Sequence, residues 1–143
     1  MIEVEILGAA PVARESADAG SARATSAPSN EEIRQLCALT TRSVGLDYGH
    51  LAVEFVDARR IAELNGLYRS KPEPTDVLSF PVDGVGPVGG ERELGDVVIC
   101  LEHTSDVREA VVHGVLHLLG MDHETDHGEM LELQHELLSR YSA

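Results

Sequence analysis

Aromatic residues are nearly missing from this chain. Its 143 residues include no tryptophan, two phenylalanines and three tyrosines. The core must therefore be filled by Leu, Val, Ile and Ala. Positive charge is also scarce. Eleven Lys and Arg stand against 25 Asp and Glu, a formal net charge of −14. That balance argues against broad, non-specific nucleic-acid binding, which depends on neutralising phosphates. It leaves room for a local basic pocket. Lys71 is the only lysine, so almost every cation is an arginine. Cysteine is limited to Cys37 and Cys100. They form no close motif, and buried free thiols in a reducing cytosol are expected. No apolar run is long enough to cross a bilayer. The opening stretch, Met1-Ile2-Glu3-Val4-Glu5-Ile6-Leu7, has neither the basic start nor the apolar segment of a signal peptide. These absences point to a cytoplasmic protein with no membrane partner. The length suits a single domain over residues 1–143.

What is present divides into short periodic segments. Residues 2–7 alternate apolar and acidic, which predicts a half-buried strand. Residues 8–28 are rich in Ala, Ser, Gly and Pro without apolar period, and read as a flexible insert. Ser29 and Glu32 form a capping box before a helix over 30–44, which Gly45 ends. Residues 51–56 predict a second strand. Asp57 caps a short helix carrying Ile61 and Leu64, and Asn65-Gly66 should end it. Residues 67–76 contain two prolines and predict an extended loop. Strands follow over 77–82 and 94–101, joined by a glycine-rich connection over 84–90. A helix over 107–119 buries Val112, Val115, Leu116 and Leu119. A last helix over 126–141 puts Met130, Leu133, Leu137 and Tyr141 on one face. The pattern is α+β, with no internal repeat.

The chemistry concentrates in His113-Gly114-Val115-Leu116-His117-Leu118-Leu119-Gly120-Met121-Asp122-His123. On a helix, His113 and His117 are four residues apart, so their imidazoles lie about 40° apart on one face. Gly120 can take the left-handed conformation that ends a helix, letting His123 swing back toward the same ion. A histidine pair alone is often a surface coincidence. The third histidine and the placed glycine turn it into a metal motif, and three imidazoles with an open fourth position suit a catalytic zinc ion. The spacing equals that of the long zinc-protease motif, but Gly114 stands where the protease carries its glutamate base. The string therefore has zinc-protease spacing without the protease base.

A second constellation could serve a phosphate. Arg69 and Lys71 lie in the proline-bounded loop before the third strand, with Arg59 and Arg60 upstream. The planar guanidinium fork matches phosphate oxygens. For Arg59 and Arg60 a solvated or salt-bridged surface role is the blander reading. His127 offers itself as a fourth ligand, though a surface place in the first helical turn suits it better. Asp76 and Asp96 read as turn and cap residues.

Taken together, these strings resemble the YbeY-type endoribonucleases, bacterial rRNA maturation factors. The histidine string resembles that family's signature. Leu64-Asn65 with Tyr68-Arg69, Lys71 and Pro74-Thr75-Asp76-Val77-Leu78-Ser79-Phe80-Pro81 is similar to its second signature, and Leu94-Gly95-Asp96-Val97 to its third. The resemblance covers roughly residues 30–140. The chain departs from the pattern at Met121, where an aromatic is usual, and at Pro72, where Asp is usual. Residues 8–28 look inserted, and the connection over 102–112 is short.

The resemblance implies a single zincin-like domain with a mixed sheet of about four strands flanked by helices, and a metal site on a C-terminal helix and the turn after it. His113, His117 and His123 would hold one Zn2+ ion per chain. Arg69 would be the catalytic arginine; Arg59, Arg60 and Lys71 are expected as further RNA contacts from their charge and position, not from the resemblance. The implied activity is zinc-dependent cleavage of single-stranded RNA in rRNA maturation and ribosome quality control, with ribosomal RNA and small-subunit proteins as partners. Two alternatives stand beside it: a zinc peptidase or other carbonyl hydrolase, and a non-catalytic ribosome-associated module stabilised by zinc.

Overall fold

The computed structural model describes residues 2–8, 28–82, 93–122 and 126–142. The insert over 8–28, the connection over 84–90 and His123 therefore fall almost wholly or wholly outside the described residues.

Four strands make one mixed sheet: β1 (Ile2–Leu7), β2 (Gly49–Val56), β3 (Val77–Pro81) and β4 (Glu93–Cys100), in the order β1-β2-β4-β3. β1, β2 and β4 run parallel, and β3 closes one edge antiparallel to β4. The helices are α1 (Asn30–Ser43), α2 (Ala58–Arg69), α3 (Val107–Leu118) and α4 (Glu129–Ser142). The α+β class and mixed sheet match the sequence reading.

Alternation along the strands sorts the helices. Leu51, Val53, Val97 and Ile99 face a core shared with Ile33 and Leu36 of α1, Val111, Val115 and Leu116 of α3, and Met130 and Leu137 of α4. Leu78, Val98 and Cys100 face the other way and bury Ile61 of α2. Both cysteines are fully buried free thiols. Burial pushes the Cys37 thiol up to about 12, so it is a packing residue and not a nucleophile.

The caps follow the sequence closely. Ser29 and Glu32 close the capping box on α1. Glu32 also accepts from Nε and Nη2 of Arg108 at 3.0–3.1 Å, tying the start of α1 to α3. The short connection into α3 is one 3-10 turn, Leu101–His103, followed by the Asp106 cap, whose carboxylate accepts from the Glu109 N–H.

Two boundaries differ from expectation by about a helical turn. α2 runs on through Asn65-Gly66 to Arg69, and Ser70, left-handed at φ 61°, ends it. Gly66 is not a stop: the returning loop lies so close that a Cβ there would sit 3.2 Å from Pro72. Buried Asn65 organises that return. Its side-chain amide donates to the Glu73 carbonyl at 2.9 Å, and its own carbonyl accepts from the Lys71 N–H. α4 starts later than expected, because Asp126 spends its carboxylate capping the Gly128 and Met130 N–H groups.

Candidate functional site

α3 supplies the histidines. His113 and His117 are both half-buried on α3. Their ring centroids are 4.8 Å apart at 75°, as the four-residue spacing requires. α3 ends as the sequence suggests. Gly120 is left-handed at φ 97°, its N–H reaches the His117 carbonyl, and the Met121 N–H reaches the Leu116 carbonyl. That is the double bond pattern of a Schellman turn, whose last residue usually makes an apolar contact with the helix. Met121 makes that contact by packing on the core. Met121 fills that apolar slot in place of the usual aromatic.

Gly114 has a steric reason to be glycine. A Cβ there would lie 2.5 Å from Val97 Cγ1 and 3.2 Å from Val77 Cγ2. α3 therefore presses its backbone onto β3 and β4, and the Ser79 hydroxyl donates to the Gly114 carbonyl at 2.8 Å. No glutamate fits at that position without moving the helix.

The histidines face the outer edge of β3. A cleft of about 310 Å3 is lined by Arg69 of α2, by Asp76, Ser79 and Pro81 at β3, and by His113 and His117. Asp122 also lines it. Thus Arg69 and two of the expected ligands meet in one place, though they come from opposite faces of the sheet. The late ending of α2 matters here, since it sets Arg69 on a last helical turn and not in a loose loop.

Register decides which backbone groups face outward. Cys100 donates to the Asp76 carbonyl and Val82 to the Leu94 carbonyl. In an antiparallel pair this parity turns residues 78 and 80 toward β4, and residues 77, 79 and 81 away from it. Pro81 has no N–H, and the Val77 N–H is taken by the Asp76 carboxylate at 2.8 Å. Ser79 therefore presents the one outward N–H left on this strand.

The family model described as Endoribonuclease YbeY matches residues 18–142. This chain belongs to the YbeY family. An endoribonuclease YbeY of Aquifex aeolicus is 38% identical over 127 residues, covering 78% of this chain and 83% of that protein. The Bacillus cytotoxicus endoribonuclease YbeY is 37% identical over 131 residues, covering 76% and 84%. The solution structure of TM1509 from Thermotoga maritima matches with a TM-score of 0.54 at 22% identity, over 96% of this chain and 88% of that one, and supports the fold alone. YbeY membership supports a hydrolytic nuclease that cuts RNA internally.

The other expected residues scatter. Arg59 and Arg60 sit in the first turn of α2, about 15 Å along the helix from Arg69 at 1.5 Å per residue, and do not line the cleft. Arg60 instead pairs with Glu63 at 3.2 Å. Lys71 is exposed just beyond α2 and also does not line the cleft. His127 is exposed in the turn before α4. Among the described residues no three His, Cys, Asp or Glu side chains gather as a metal cluster, and the third histidine of the YbeY string, His123, lies outside them.

Sequence reasoning gave no role at this site to Ser79 or to Gln134. Gln134 of α4 is buried, and its Oε1 stands 2.8 Å from His113 Nδ1. The available signal was a polar residue four after Met130 and three before Leu137, on the buried stripe of a helix.

Proposed function

We propose that this YbeY member is a zincin-like, zinc-dependent endoribonuclease that cuts single-stranded RNA in rRNA maturation and ribosome quality control. Its partners would be ribosomal RNA and small-subunit proteins, in the cytoplasm. The observation that carries the reading is the shared cleft of Arg69, His113 and His117.

The donors fit a zinc ion. Two half-buried imidazoles stand on one helix face, and the bond at His113 Nδ1 turns Nε2 away from Gln134. His113, His117 and His123 would hold the ion. When bound, such an ion supplies Lewis acidity at a phosphate oxygen and a water acidified toward neutrality. Arg69 binds the scissile phosphate through its planar fork and stabilises the charge that builds on the phosphorane. The Ser79 N–H adds a fixed main-chain donor on the opposite wall. Gly114 speaks against the peptidase alternative twice over, since the base is missing and its place is filled by Val97.

The test is metal analysis of purified protein with cleavage of a single-stranded RNA by the wild type, H117A and R69A. About one zinc per chain is expected in the wild type, with cleavage lost on chelation and restored by zinc. H117A should lose metal and activity together. R69A should keep its metal and lose activity by about 10²–10³-fold, the scale of removing one transition-state donor. Full cleavage by metal-free wild type, or by R69A, would sink the proposal.

A further inference from the structure

Four polar side chains are buried among the described residues: Thr40, Thr41, Asn65 and Gln134. Three have local tasks. Thr40 and Thr41 bond back to the Leu36 and Ala38 carbonyls of their own helix, and Asn65 holds the loop after α2. Gln134 has no such task. It lies between Met130 and Leu137, both fully buried, where an apolar residue would pack without cost. Burying a primary amide is unfavourable unless it is bonded. Its bond goes to His113, 21 residues away on another helix.

The chemistry of that bond is one-directional. The amide oxygen can only accept, so His113 Nδ1 must carry the hydrogen. A neutral imidazole with hydrogen on Nδ1 has its lone pair on Nε2. We propose that Gln134 is a positioning residue that fixes His113 in this tautomer and ring orientation, so that His113 is an Nε2 ligand before any ion arrives. This rests on His113 being a ligand. It adds a determinant of metal affinity that lies outside the histidine string. α4 thereby contributes to the site through packing rather than through a ligand of its own.

The test uses the full chain with two substitutions, Q134L and Q134E. Q134L keeps the bulk and removes the acceptor; Q134E keeps an acceptor. Zinc affinity is measured by competition with a chelator of known affinity. The His113 tautomer is read in metal-free protein by long-range nitrogen–proton NMR, at about pH 8.5 where imidazole is neutral. Q134L should melt no lower than wild type yet bind zinc about 10–100-fold more weakly, the usual range for losing a partner of a metal-bound histidine. Its His113 should no longer be held as the Nδ1–H form. Q134E should keep both the tautomer and the affinity to within a few fold. A Q134L that binds zinc as tightly as wild type overturns the proposal, as does an Nε2–H tautomer in the wild type. If the wild type itself binds no zinc, the zinc reading fails, while the tautomer comparison still decides the role of Gln134.

Discussion

At the scale of single residues, glycine and glutamine explain more of the site than its histidines do. The Val97 methyl group set against Gly114 predicts a measurable cost. G114A should destabilise by about 1–3 kcal/mol, the range for forcing a methyl into a filled core, seen as a lower denaturant midpoint. V97A alone should also destabilise, by removing buried methyl groups. Combined with G114A, its cost should shrink or vanish, because the new methyl occupies the vacated space. Additive losses would place the clash elsewhere. The histidine spacing, Gly120 and the capping box could all be read from the sequence, since each depends on a local rule. Gln134 could not be assigned, since its partner lies on another helix. Asn65-Gly66 was misleading for a related reason. The pair that usually ends a helix serves here inside one, because a loop eight residues on returns to it.

At the scale of elements, the informative piece is β3. All four strands and all four helices were legible from period and caps, with boundaries off by one to three residues. What sequence could not give was strand order, because period says which face of a strand is apolar and nothing about its neighbour. The order β1-β2-β4-β3 makes β3 an edge and opens its outer side to Arg69 and the histidines. The outward Ser79 N–H can be tested by substitution. S79P removes that N–H at a position where an edge strand tolerates proline, while S79A removes only the hydroxyl bond to Gly114. S79A should cost about 1 kcal/mol of stability and leave RNA cleavage nearly intact. S79P should fold and cleave at least tenfold more slowly. Equal activity of the two variants would remove the main-chain donor from the proposal.

At the scale of the whole molecule, the charge is unevenly placed. Glu3 and Glu5 of β1, His50 and Glu54 of β2 and Asp96 of β4 share the sheet face that α2 covers only in part. His50 lies 2.9 Å from Glu93 and 3.6 Å from Glu5. The hydrogen bond to Glu93 is the main reason its pKa is raised, with the Glu93, Glu5 and Glu3 charges adding and burial opposing. Asp96 is raised in turn, chiefly by burial and then by Glu93. A histidine raised by folding stabilises fully below its ordinary pKa of about 6.5, and the contribution fades as pH rises through the higher folded value. H50Q should therefore lower the melting temperature at about pH 5.5 and leave it unchanged at about pH 8.5. A penalty that does not depend on pH would mean that His50 acts by packing alone. On the proposed function, this acidic face would repel the phosphates of RNA. Glu3, Glu5 and Glu54 stand on the two strands farthest from β3, while the cleft at the β3 edge is lined by Arg69 together with Asp76 and Asp122.

The guarded edge of β3 has a consequence for how the protein behaves when crowded. An open strand edge invites another chain to add itself by main-chain pairing, the first step of strand-on-strand aggregation. Here a proline deletes one donor, a carboxylate occupies another, and Ser79 alone remains in five residues. One donor is too few to template a ladder. The cleft can thus stand open at this sheet edge without offering that edge as a template to another copy.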